Sequence, residues 1–72
     1  MDLEIRKNHR GWIAEVWTSE QDTTFKGTLS EEHYVEMNEW CKRTLGYNCR
    51  TAYHIFEFKQ RRHLDWFLLR WQ

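Results

Sequence analysis

Proline is absent from this 72-residue chain, and glycine occurs only three times. So little of either leaves no linker composition, no low-complexity tract and no Gly-rich phosphate loop. No internal repeat is present. Cysteine is almost as scarce. Cys41 and Cys49 do not fall at the short Cys-x2–4-Cys spacing of zinc knuckles, and the four histidines add no short His pair. No metal site is expected. Net charge is missing too: 11 basic and 11 acidic side chains cancel, which argues against a dedicated duplex-DNA binder. No apolar run approaches the roughly 18 residues that span a bilayer. The opening Met1-Asp2-Leu3-Glu4 lacks the basic and apolar regions of a signal peptide. These absences predict a cytoplasmic protein without membrane contact, carrying two free thiols. No nucleophile elbow or paired-acid motif appears, so neither an enzyme nor a cofactor is expected. A Cys41 or Cys49 nucleophile with His33 or His54 as base is only a list that any chain of this composition yields.

Aromatic side chains, by contrast, are abundant. Five tryptophans, Trp12, Trp17, Trp40, Trp66 and Trp71, spread over the whole length. A domain this small buries only about 60% of its unfolded surface, so at least one indole is expected to reach solvent.

Leu3-Glu4-Ile5-Arg6-Lys7 alternates apolar and polar, and Asn8-His9-Arg10-Gly11 has turn composition. Gly11–Thr18 alternates again, with Trp12, Ala14 and Val16 on one face and Ile13, Glu15 and Trp17 on the other. Together they predict a hairpin. After a polar turn at Ser19–Asp22, alternation resumes from Thr23 to Leu29. There Gly27 leaves space for a large neighbour such as Trp12 or Trp17.

Ser30 is a good N-cap, and Glu31 and Glu32 follow it in the first turn. Leu29 and Tyr34 stand at the positions of a hydrophobic staple. Tyr34, Met37, Cys41 and Leu45 recur at helical spacing, and Gly46 ends the helix. Thr51–Lys59 reads as one strand, with Ala52, His54, Phe56 and Phe58 on a shared face. Leu64, Phe67, Leu68 and Trp71 fit a helix from about Arg61, although Arg61 and Arg62 oppose its dipole. The prediction is one α+β domain over residues 1–72: three strands, helix, strand, helix, with an antiparallel sheet and helices packed on one face.

Phe56-Glu57-Phe58, Asp65, Phe67-Leu68-Leu69-Arg70-Trp71 and the Glu39-Trp40-Cys41 helix end before a glycine turn resemble the C-terminal half of small uncharacterised proteins encoded by tailed bacteriophages. The resemblance implies a phage product acting in the bacterial host cytoplasm, with a host enzyme or machine as partner. It carries over no catalytic residue or cofactor, and it does not cover the N-terminal hairpin.

Three binding surfaces are candidates. Trp12, Trp17 and Trp66, with an acidic helix stripe of Glu32, Glu36 and Glu39, predict a protein interface. Trp66 falls off the apolar stripe and is expected to be exposed. The leading expectation is a non-enzymatic module that modulates a host protein. The alternative is single-stranded nucleic acid, held by two basic segments containing Arg6, Lys7 and Arg10 and Lys59, Arg61 and Arg62. Should those segments meet, Trp12 and Tyr53 would offer stacking faces. A homodimer or larger assembly is the third possibility.

Overall fold

A computed structural model of the chain describes residues 2–17 and 30–71. The strand expected over 23–29, including Gly27, lies outside them. So do Leu29, and with it the staple to Tyr34, and the polar turn at 19–22. The elements run β1 (Asp2–Asn8), β2 (Gly11–Trp17), α1 (Glu31–Leu45), β3 (Arg50–Ala52), β4 (Ile55–Phe58) and α2 (Arg61–Trp71). The four strands form an antiparallel sheet in the order β1-β2-β4-β3. The α+β class is as expected.

The β1–β2 hairpin forms for local reasons. The Asn8 side-chain oxygen accepts the Arg10 and Gly11 N–H groups at 2.9 Å each, and these bonds fold the turn around His9 and Arg10. Gly11 has φ 152°, and a Cβ there would meet the Phe58 carbonyl oxygen of β4. Only glycine lets β4 approach the hairpin this closely.

Helix α1 starts where its capping residues place it. The Ser30 hydroxyl accepts the His33 N–H at 3.3 Å. Gly46, at φ 87°, returns its N–H to the Cys41 and Lys42 carbonyls. Its apolar stripe buries Tyr34, Met37 and Cys41, and the Tyr34 hydroxyl donates to the Val16 carbonyl of β2 at 2.8 Å. Helix α2 buries Leu64 and Phe67 and half-buries Leu68 and Trp71, the stripe its sequence predicts.

Both helices cover one face of the sheet. Tyr34 of α1 and Phe67 of α2 pack on Phe56, with ring centroids 6.4 and 5.3 Å away. Phe67 also contacts Phe58 and Trp40. Truncating it to alanine would open the centre of the core, at a cost of about 3–5 kcal/mol.

The expected single strand over 51–59 is corrected. Residues Tyr53 and His54 form a turn, so the segment folds back as β3 and β4 and pairs with itself. Phe56 and Phe58 face the core as expected, but Ala52 is exposed. His54 leaves the core face for the opposite one, where its ring lies 4.2 Å from that of Trp17 and 3.8 Å from the Glu15 carboxylate.

Candidate functional site

The β2–β4 pairing decides which loops become neighbours. Trp12 stands opposite Phe58 in the register, so the start of β2 lies beside the end of β4. The hairpin turn carrying Arg10 therefore meets the β4–α2 junction carrying Lys59, and both side chains line one cleft of about 250 Å³ with Tyr47, Asn48, Glu57 and Phe58. The two basic segments do converge.

Aromatic rings run through this basic end. Lys7 is the register partner of Trp12 on β1, and its ammonium lies 5.3 Å from the indole centroid. The Arg61 guanidinium lies 4.7 Å from the same ring, and Lys59 lies 4.8 Å from the Tyr47 ring. Such contacts contribute about 0.5–1 kcal/mol where exposed. The Tyr47 hydroxyl accepts the Lys59 N–H at 3.0 Å and forms a hydrogen bond of 2.8 Å with His63 Nδ1, in a direction set by the histidine tautomer. Burial pushes the Tyr47 phenol up, which keeps it protonated. The His63 ring then continues to Trp66, 5.8 Å away. Tyr47, His63 and Trp66 thus make a row of rings leading out of the cleft along α2. Trp66 is 45% exposed, as its place off the apolar stripe predicted.

Helix α2 adds to the positive potential. Its first turn holds no acidic residue and begins with Arg61 and Arg62. The unpaired N–H groups of a helix start carry partial positive charge, so the two arginines oppose local stability. A sequence that breaks a local rule at one point commonly does so at a working surface. Arg61 is partly offset by Asp65 at 3.0 Å. Burial, with Arg62 and Lys59 close by, holds the His63 imidazole below its ordinary pKa.

Two candidates fall elsewhere. Arg6 alternates to the far face of the sheet and pairs with Glu15. Tyr53 sits in the β3–β4 turn, at the opposite end of β4 from Phe58, where its ring flanks Arg50 at 5.3 Å. The aromatic partner of the basic loops is Tyr47. The residues expected at a protein interface do not gather into one surface. Trp12 is half-buried at the basic end and Trp17 half-buried on the opposite face. Only Trp66 among them is freely exposed, and Glu32, Glu36 and Glu39 point outward from α1.

Sequence reasoning passed over Asn38. Its side-chain oxygen accepts the Cys49 and Arg50 N–H groups at 3.2 Å each, and its amide donates to Asn48. It fastens the wall of the cleft to α1. Cys41 and Cys49 are free and buried. The Cys49 thiol meets the Tyr47 carbonyl at 3.8 Å, and the Tyr47 hydroxyl in turn lies 2.8 Å from His63 Nδ1. Among the described residues no group of three or more His, Cys, Asp or Glu side chains is placed to hold a metal ion. No described helix is long and apolar enough to cross a membrane.

No protein-family model matches the chain, and neither a search of curated proteins nor one of solved structures finds a match.

Proposed function

We propose that the basic end of the molecule binds single-stranded nucleic acid. One observation carries this reading: Arg10 and Lys59, far apart in the chain, line one cleft beside rings already in contact with cations. Phosphates meet Arg10, Lys59, Arg62 and the start of α2. Bases stack along Tyr47, His63 and Trp66, and compete with Lys7 and Arg61 for the Trp12 ring. Stacking on aromatic side chains tolerates any base and contributes about 1–3 kcal/mol per base. A neutral molecule can serve this way because the cleft lining sets Arg10 and Lys59 against one carboxylate, Glu57, while other acidic side chains stand off it. Glu31, Glu32, Glu36 and Glu39 lie on α1, away from the cleft.

Titration of intrinsic tryptophan fluorescence with single-stranded DNA and RNA at low salt tests the proposal. Quenching that weakens as salt rises supports it, because phosphate contacts release counterions. Unchanged fluorescence with no mobility shift of the oligonucleotide rejects it.

A second reading rests on a separate observation. Leu69 is 84% exposed, one helical turn from Trp66 on α2. Two large apolar side chains in water fit a protein contact, with a host protein as partner on the phage resemblance, or a second copy of the chain. Trp66→Ser with Leu69→Ser would abolish capture of such a partner, whereas loss of oligonucleotide binding alone would leave it intact.

A further inference from the structure

We propose that Glu57 and Asn48 select guanine within the cleft, an inference that rests on the nucleic-acid reading of that site. The cleft holds more than cations. Glu57 and Asn48 line it beside Arg10, Lys59 and Tyr47, and its volume of about 250 Å³ has room for one base.

Glu57 is held on both sides. Its N–H donates to the Cys49 carbonyl at 2.7 Å, and Ile13 of β2 is its register partner. Phe56 and Phe58 beside it are buried in the core, so Glu57 alternates to the other face of β4, where it is half-buried. Among the described residues its carboxylate forms no hydrogen bond and no ion pair, although two cations line the same cleft.

The Asn48 amide is oriented by Asn38. The Asn38 side-chain oxygen accepts the Cys49 and Arg50 N–H groups, so its NH2 is the group that donates to Asn48, at 3.2 Å. The Asn48 oxygen is therefore the acceptor of that bond. Its own NH2 has no partner among the described residues.

The cleft thus offers one amide donor and two carboxylate acceptors. That set complements the Watson–Crick edge of guanine, which presents the O6 acceptor and then the N1–H and N2–H donors. The two Glu57 oxygens take both donors in a charge-assisted bidentate pair, and the Asn48 NH2 donates to O6. Adenine and cytosine offer one amine beside a bare ring nitrogen, whose lone pair would face the second carboxylate oxygen. Uracil and thymine offer one N–H between two carbonyls. Stacking on Tyr47 carries no such preference, because every base has a π-face. Arg10 and Lys59 hold the flanking phosphates, contacts that set register without reading sequence.

The test measures binding of the full chain to uridine octamers with one central G, A or C, and to the all-uridine octamer, by fluorescence anisotropy at low salt. The G octamer should bind about tenfold tighter than the other three. Inosine in its place, which lacks the 2-amine, should lose most of that advantage. Glu57→Gln should remove it, lowering affinity for the G octamer and raising affinity for all-uridine, because a negative charge beside the phosphates is gone. A Glu57 that only shaped the fold would lower both. Equal wild-type affinity for all four octamers, tightest binding to another base, or a G preference that survives Glu57→Gln would each overturn guanine selection alone. Absence of binding to any octamer would overturn it together with the nucleic-acid reading. The wild-type series decides even where Glu57→Gln does not fold.

Discussion

The two ends of the sheet are built from the same materials and put them to different uses. At the β3–β4 end, Arg50 sits 5.4 and 5.3 Å from the rings of Tyr34 and Tyr53, donates to the Tyr53 carbonyl at 3.0 Å, and forms a bidentate pair with Glu31 at 2.8 Å. All three nitrogens of that guanidinium are hydrogen-bonded. At the other end, Lys7, Lys59 and Arg61 also lie over rings, yet among the described residues only Arg61 of the three is paired with a carboxylate. A cation closed by a carboxylate fastens the fold, whereas a cation over a ring remains free to exchange that ring for a phosphate. The difference between the ends lies in the carboxylate, not in the arginine, lysine or aromatic content.

That comparison can be broken most severely at Gly11, on which the assembly of the basic end depends. Gly11→Ala places a methyl group against the Phe58 carbonyl and forces a side chain into positive φ. It should cost about 3 kcal/mol of stability in a denaturant titration. Wild-type stability in that variant would mean that the hairpin and β4 do not meet as described.

Charge reversal sharpens the contrast next. Arg10→Glu with Lys59→Glu should weaken oligonucleotide binding by about a hundredfold at low salt, since two phosphate contacts become repulsive. Arg50→Gln should leave affinity unchanged and lower the thermal midpoint instead. Equal losses of affinity at both ends would erase the distinction.

Acid separates the ends more gently. Arg50 holds the Glu31 carboxyl below its ordinary value of 4.5. The stabilisation from that pair is present above the ordinary value and is lost as pH falls through the lowered one. Glu31→Gln should therefore make acid unfolding less steep below about pH 4.5.

The smallest effect belongs to His63. Its pKa is depressed from 6.5, by burial first and then by Arg62 and Lys59. Native stability accordingly falls as pH drops below 6.5 through the lowered value, because the unfolded chain takes up the proton first. Bound phosphates would offset Arg62 and Lys59 and raise the pKa, so oligonucleotide binding should tighten over the same window. His63→Gln should flatten both profiles. An unchanged binding profile in that variant would place His63 outside the site.

Much of this architecture was legible where the signal is local. Asn8 and Gly11 mark the hairpin, Ser30 and Gly46 bracket α1, and the spacing of Leu64, Phe67, Leu68 and Trp71 overrides the adverse charges of Arg61 and Arg62. The break at Tyr53 and His54 was not legible. Aromatic and apolar residues continue through it, and the pairing of β3 with β4 depends on Asn38 holding Cys49 and Arg50 from another element. For the same reason Tyr53, and not Tyr47, stood out as the aromatic partner of the basic loops. Convergence of the two basic segments follows from the β2–β4 register, a long-range property that no window of sequence contains. Trp66 was foreseen because its exposure follows from helical phase alone. Trp17 was not, because its half-burial comes from neighbours such as His54 across the sheet.

The most direct test of which end binds is an amide and indole NMR titration of the intact protein with a short single-stranded oligonucleotide. The account predicts shifts at the Trp12 and Trp66 indoles and at the amides of residues 7–11, 47–49 and 59–63, with Arg50, Tyr53 and the outer face of α1 unmoved. Shifts confined to the Arg50 end or to α1, or no shifts at millimolar oligonucleotide, would contradict it.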